Sequence, residues 1–573
     1  MNQTRTFLIF AWLAVATLLF MAWNREQATP PATTAVATTP VAVGGGDSTV
    51  PTVTGSNVPK TPSPTMSATP LDAGATATTV AGSGTPAISV TTDVLRVALD
   101  GGAIRQADLL HYPQTTAPGS PPMRLFAEDP AHFYQAQSGW VSNTGAAPSH
   151  ESGFVPVDAT RDYRLAAGAD SVQVPFLWHG PDGVSIRRTY TFHRGDYAVE
   201  VRDEVVNAGS QPWQGYVYRQ LLRVPPVVKS GMTHPESYSF HGAAWFSTQD
   251  KFDKRKFAKY DDGGALDKQV TGGWIAMLQH HFFAAWIPAA TDASTFSLAS
   301  PKGVGGQQQA LIRELGPGVD VAPGASATTT ARLWVGPKLV KQIEAQNVPG
   351  LERAVDFSSY SIMAWIAGLL FAVLSFLHGL FGNWGWAIIG LVLIIKALMY
   401  PLSAAQYKSA AKMRRFQPRI EQLKERYGDD KQKFQMAMME LYKKEKINPV
   451  GGCLPVLVQM PVFLALYWTL LESVELRQAP WIGWIHNLTA PDPYFILPVI
   501  NIAVMWATQK LTPTPGMDPM QKKMMQVMPL AMGVMFAFFP AGLVLYWVTN
   551  GSLGLLQQWW MTKVHGQPAP AKA

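Results

Sequence analysis

The chain of 573 residues holds a single cysteine, Cys453. One thiol cannot close an internal disulfide or supply the thiolates of a zinc site, so a disulfide scaffold and a Cys-based metal centre are excluded. The 12 histidines are scattered, with no His-Glu-x-x-His spacing. His280 and His281 sit in "WIAMLQHHFFAAW", which reads as strand. Neighbours in a strand point to opposite faces, so this pair is not expected to bind metal. Large aromatics are missing from 27–88, and charge is nearly so. Such a stretch, rich in Thr, Ala, Pro and Gly, cannot bury enough apolar area to offset chain entropy and is expected to be a disordered tether. Between Met524 and Thr562 there is no Asp, Glu, Lys or Arg. At 1.5 Å per residue this is about 58 Å of helix, roughly two crossings of a ~30 Å hydrocarbon core. Pro540 and Gly542 divide it into spans expected at 526–539 and 542–562.

What is present sorts into three regions. Residues 1–26 carry Arg5 and then an apolar run with no small-residue cleavage site, so an uncleaved anchor is expected. From 89 to 345, "SVQVPFLW", "VSIRRTYTFH", "YAVEVRDEVVN" and "ATTTARLWV" alternate or run β-branched between turn residues. They predict a large antiparallel β-sandwich. No spacing there singles out a nucleophile, a metal triad or a paired acid and base, so a binding or scaffold role is expected. "KFDKRKFAKY", at 251–260, reads as a solvated loop or helix face. After 356 the chain becomes apolar, with candidate segments at 361–381, 384–402, 453–471 and 493–509.

Charge sets an expected topology. The net charge is +7. Residues 402–449 carry twelve Lys/Arg against six Asp/Glu. Lys510, Lys522 and Lys523 mark the 510–525 loop, and Lys563 and Lys572 mark the tail at 563–573. All these should be cytoplasmic. The 472–492 loop, with Glu472, Glu475 and Asp492 against Arg477, faces out, as does the β domain. Parity then allows only one crossing before residue 402, so 357–381 is expected to lie flat on the outer surface. The result is six spans with both termini inside.

"GLVLIIKALMYP", residues 390–401, places Lys396 inside a greasy span. A charge at mid-membrane depth costs about 2.5–3.5 kcal/mol on insertion scales. If 384–402 is one helix, Tyr400, Ser403 and Tyr407 share a face with Lys396. Other spans add Gln459, Asn501, Tyr546, Thr549 and Asn550, none acidic. Lys396 therefore either snorkels to the cytoplasmic interface or faces a wet cavity lined by these groups. The basic 403–449 segment shows helical periodicity, with a turn at 428–430 and a stop at Asn448-Pro449. It predicts a helical hairpin whose Lys412, Arg414, Arg415, Met436 and Met439 offer a basic and soft apolar surface.

"MYPLSAAQYKSAAKMRRFQPRI", "NPVGGCLPVLVQMPVFLALYW", "SVELRQAPWIGWIHNL", "DPYFILPVI" and "FFPAGLVLYW" closely resemble the YidC family of bacterial membrane protein insertases over about 350–562. The resemblance implies a polytopic α-helical membrane protein of six spans with a five-helix insertase core. It also implies a periplasmic β-supersandwich of sugar-epimerase type without known catalysis. The core would enclose a hydrophilic groove, open to cytoplasm and lipid, in which a cation attracts polar parts of a nascent chain. A greasy slide on the spans at 453–471 and 526–539, here Met460, Phe463, Leu464, Tyr467, Met528, Met532 and Met535, would release the apolar segment. The family's groove cation is commonly Arg, and Lys396 occupies its position. Val392 and Trp547 stand where relatives carry Thr and Tyr, so those hydrogen-bonding roles do not transfer. The implied partners are nascent membrane proteins, the Sec translocon, the ribosome with the signal recognition particle, and lipid, with no cofactor, no covalent chemistry and no direct nucleic-acid contact. The rival readings are a solute transporter with Lys396 as counter-ion and a membrane-anchored carbohydrate enzyme.

Overall fold

Alternating apolar residues and apolar helical runs assemble into two compact units, one from 45–360 with 468–479, the other from 361–467 with 480–573. The computed structural model describes residues 49–51, 87–228, 239–262, 266–303, 306–355, 361–406, 416–427, 430–445, 454–511 and 519–565. The expected anchor, nearly all of the tether, Tyr407, Lys412, Arg414, Arg415, the 446–449 stop and the tail beyond 565 lie outside the described residues.

The first unit is built from a ten-stranded and a nine-stranded sheet. In the larger sheet, strand Trp213–Arg223 lies between Tyr134–Ser142 and Ala310–Val321; in the smaller, Ala198–Asn207 lies between Val184–His193 and Ser326–Pro337. The strands expected from "VSIRRTYTFH" and "YAVEVRDEVVN" pair antiparallel, with Arg188 opposite Asp203. This pair is buried at 2.6 Å. The Arg188 guanidinium also donates to the carbonyls of Gly101 (3.1 Å) and Ser138 (2.9 Å) and lies 4.4 Å from the Phe154 ring centre. Trp140 Nε1 donates to Asp203 Oδ2 at 2.7 Å. Ser138 and Trp140 belong to the larger sheet and Arg188 and Asp203 to the smaller, so the network ties the sheets together. A second buried pair, Arg219 and Glu314 at 3.0 Å, joins neighbouring strands, and Ser294 Oγ donates to Glu314 at 2.7 Å. Every charge in these networks is matched, which offsets the cost of removing ions from water.

Two local expectations are corrected. Lys251–Lys256 is neither loop nor helix but a strand at the edge of the nine-stranded sheet, paired with Gly242–Ser247. Its charges suit an edge, where unpaired backbone groups would otherwise template association. His280 and His281 lie in the turn between strands Gly273–Leu278 and Phe282–Pro288, and their rings stack at 3.7 Å instead of facing apart. Burial pushes His281 well below its ordinary pKa.

Residues 468–479 belong to this unit. His280 Nε2 lies 2.8 Å from the Leu471 carbonyl, Lys338 and Glu472 form a buried pair at 3.7 Å, and Gln478 Nε2 donates to the Pro113 carbonyl at 3.2 Å. Glu475 Oε2 is buried without a hydrogen-bond donor among the described residues, and desolvation pushes that carboxyl up to about 7. Glu472 and Glu475, counted from sequence as outward-facing charges, are thus absorbed by packing.

After α1 (Val340–Ala345), the second unit begins with α2 (Ser361–Phe381) and α3 (Trp384–Leu398). Gly382, at φ 65°, closes α2 by donating to the His378 carbonyl at 2.8 Å, a left-handed cap that glycine adopts without strain. Asn383 then caps α3, its Oδ1 accepting from Gly385 (2.9 Å) and Trp386 (3.3 Å). The hairpin is α4 (Gln417–Tyr427) and α5 (Lys431–Lys444), closed over Ile420, Met438 and Tyr442 and capped by Asp430. Then follow α6 (Leu454–Glu472), α7 (Ile496–Leu511), α8 (Pro519–Phe536) and α9 (Ala541–His565). Residues 519–525, expected as loop, are the first turns of α8.

Among the described residues, one helix, Ile362–Phe381, is long and apolar enough to cross a membrane unbroken by length and composition. It is the segment that charge parity places flat. Its buried side, Ala367, Leu370, Phe371, Leu374 and Leu377, follows helical spacing, yet its exposed side is apolar too, with Ile362, Trp365, Leu369 and Phe376.

Candidate functional site

The expected continuous stripe below Lys396 is broken. Helix α3 ends at Leu398, and the following Tyr400–Gln406 helix departs at 63°. Pro401 explains the break, because it lacks an N–H and disfavours helical geometry at the residue before it. Tyr400 and Ser403 therefore do not continue one helical face from Lys396. Lys396 is half-buried in the last turn of α3, and among the described residues it has no hydrogen bond or ion pair.

The structure brings three of the predicted polar residues together. Gln459 Nε2, on α6, donates to Asn550 Oδ1 at 3.0 Å and lies 3.4 Å from the Tyr546 hydroxyl, both on α9. Thr549 is half-buried beside them in sequence. Asn501, on α7, is 1% exposed, and its amide reaches Met505 Sδ of its own helix at 3.8 Å. Tyr546 is likewise 1% exposed. Asn501 and Tyr546 thus sit inside the helix packing, while Gln459 and Asn550 stay partly open.

Close helix approaches position this group. At Gly533 a Cβ would lie 2.0 Å from Ile502, and at Gly551 2.9 Å from Val504, so α8 and α9 pack closely on α7. The start of α9 is satisfied by the loop before α7. Ala541 N–H donates to Ala490 and Gly542 N–H to Leu488, at 2.7 and 2.8 Å. Asp492 in that loop is buried and accepts from Trp484 Nε1 at 3.0 Å and from the Leu497 N–H at 2.7 Å. An acid just before an apolar helical run is a helix-start signal. The charge count had used Asp492 only as an outward-facing acid.

Of the expected slide, Met460, Leu464 and Met528 are exposed and Phe463, Tyr467, Met532 and Met535 half-buried. Phe463 stacks on Tyr546 at 6.3 Å and meets Trp547 edge-on at 5.0 Å. Phe536 packs on Trp547 at 5.5 Å and on Phe539 at 5.6 Å. This aromatic cluster was missed from sequence, since its members lie on three separated segments. In the hairpin, Met436 and Met439 are exposed.

The polar contact between α6 and α9 is thus accompanied by exposed apolar side chains on α6. Residues 376–568 match the 60Kd inner membrane protein family, and 87–373 match the YidC periplasmic domain. A Stenotrophomonas maltophilia protein called membrane protein insertase YidC is 58% identical over 100% of this chain and 98% of its own length. The chain belongs to the YidC family. A Xanthomonas campestris pv. campestris YidC is 57% identical over 99% of this chain and 98% of its own length. The solved structure of an active YidC insertase with its first transmembrane domain resolved covers 83% of this chain and 94% of that one, at 17% identity and TM-score 0.37. As a YidC insertase, the protein inserts membrane proteins and resides in the bacterial inner membrane, with nascent membrane proteins as its substrates. The transporter and carbohydrate-enzyme readings find no support in these relatives.

Proposed function

We propose that this insertase passes a substrate's polar segment along Lys396 and the Gln459–Asn550 contact while its apolar segment leaves over α6 and α8. The observation that carries this reading is the hydrogen-bonded Gln459–Asn550 pair, with exposed Met460 and Leu464 on the same helix as Gln459 and exposed Met528 on α8. Polar and apolar surfaces adjoin there, which an amphipathic incoming chain requires. A substrate carboxylate at mid-membrane costs about 2.5–3.5 kcal/mol. One ammonium at 4 Å returns about 4 kcal/mol at an effective dielectric of 20, so a single lysine is large enough to offset it. Burial of the apolar segment in lipid supplies the net drive.

In this scheme the termini and the α4–α5 hairpin are cytoplasmic, the β unit is periplasmic, and α2 lies on the outer surface as charge parity requires. The Sec translocon, the ribosome and the signal recognition particle enter as partners by family resemblance. Lys396→Glu is expected to lower insertion of a Sec-independent substrate with an acidic outer tail at least tenfold, while Lys396→Arg preserves it. Protease protection in depleted cells is the readout. Equal insertion by the Glu and Arg variants would overturn the charge-attraction scheme.

A further inference from the structure

The ten-stranded sheet carries a row of polar side chains outside the candidate site described above. Gln137, Gln220 and Arg313 stand opposite one another on its three central strands, and Gly139, Tyr218 and Leu315 form the next row on the same face. Ser138 and Trp140 point between the sheets, towards Arg188 and Asp203. Side chains alternate along a strand, so Gln137 and Gly139 face away from the second sheet. Such a face ordinarily meets water, yet Gln137 is 5% exposed and Gln220 and Tyr218 are 0% exposed.

Part of the cover is Thr49-Val50-Pro51, from the stretch expected to be a disordered tether. Arg313 Nη2 donates to the Thr49 carbonyl at 2.6 Å, and Gln220 Nε2 donates to the same oxygen at 3.2 Å. Arg313 Nε to Gln220 Oε1 and Gln220 Nε2 to Gln137 Oε1, each 2.7 Å, fix the amides in the donating orientation. Among the described residues Arg313 has no carboxylate partner, so its charge is spent on this carbonyl. Thr49 Oγ1 donates to Glu151 at 3.2 Å and lies 3.0 Å from His150 Nε2. His150 Nδ1 in turn sits 2.6 Å from the Tyr218 hydroxyl. Burial holds His150 down at about 3, so the ring is neutral and can donate from Nε2 while accepting at Nδ1. Val50 packs on Tyr216, Tyr218 and Leu315. Gly139 makes room, because a Cβ there would lie 2.6 Å from the Tyr218 hydroxyl.

We propose that this row is a peptide-binding site of the β domain, selective for an extended Thr-Val-Pro segment, and that the chain's own tether fills it. One carbonyl, one hydroxyl and one branched side chain are read. Proline after Val50 restricts that residue to extended geometry before docking, which lowers the ordering cost. The Val-Pro pair, without the threonine, recurs at Val58-Pro59 in the tether, so a test must disable both.

The test uses the full chain in nanodiscs and a fluorescein-labelled peptide, GGDSTVPTVT. Val50→Asp with Val58→Asp alters only the tether and should raise peptide affinity at least tenfold over the unchanged chain, read by anisotropy, because the internal competitor is gone. Adding Arg313→Gln should abolish that binding while the melting profile shows a folded domain. Hydrogen exchange at Thr49 and Val50 should be slow in the unchanged chain and fast in the tether variant. Equal peptide affinity with and without the tether substitutions would overturn the proposal, as would binding of a hexose but not the peptide.

Discussion

The two units differ in how they treat particular charges removed from water. In the β unit, Arg188 meets Asp203 and Arg219 meets Glu314, each at hydrogen-bonding distance and buried. In the helical unit, Lys396 has no such partner among the described residues, and the partly open contact between α6 and α9 is the neutral Gln459–Asn550 pair. A charge matched inside its own fold is spent on architecture. One left without an internal match remains available to whatever enters. On the proposed scheme the same residue types serve stability in one region and traffic in the other.

The sharpest way to break this contrast is to unmatch a charge in the β unit. Arg188→Met strands Asp203 and should cost about 3–5 kcal/mol of stability by thermal or urea unfolding, whereas adding Asp203→Leu should recover much of the loss. A double variant no better than the single would show that Arg188 acts through its carbonyl contacts instead.

A smaller effect concerns Glu475, one exception within the β unit. Its folded pKa is raised to about 7 from 4.5. Between those values the unfolded chain has lost a proton that the folded chain retains, so stability falls as pH rises through that window, by up to about 3 kcal/mol in all. Glu475→Gln should flatten the pH dependence of protease access to 468–479 between pH 4.5 and 7. An unchanged slope would assign the dependence to another group.

The smallest expected effect lies in the helical unit. Gln459→Leu with Asn550→Leu should change helix association by only about 1 kcal/mol, since such membrane hydrogen bonds are modest. Insertion of an acidic substrate should fall nonetheless, measured by protease protection. Loss of both fold and insertion together would make the pair architectural, like those of the β unit.

Much of this was legible in the sequence. Period-two stretches predict the β unit, and Gly382 with Asn383 marks the α2–α3 boundary. The spacing of Gln459, Tyr546 and Asn550 on separate apolar segments did not by itself say they would meet. What escaped was non-local. The Gln137–Gln220–Arg313 row depends on strand register across distant segments, and Thr49–Pro51 looks like any other part of a low-complexity tether. The charge count also misjudged Glu472 and Asp492, because composition cannot tell a solvated acid from a buried cap or ion pair. The bend after Lys396 is readable from Pro401, which interrupts the helical face that would join Lys396 to Tyr400 and Ser403.

The edge strand Lys251–Lys256 bears on how copies of this chain meet one another. It carries four cations and one acid, a net of +3 from four minus one. If two copies were to add edge to edge, these strands would face each other at about 4.8 Å. Mutual repulsion at that spacing keeps neighbouring molecules from zipping into a continuous sheet, so a protein that handles aggregation-prone clients is itself guarded against becoming one.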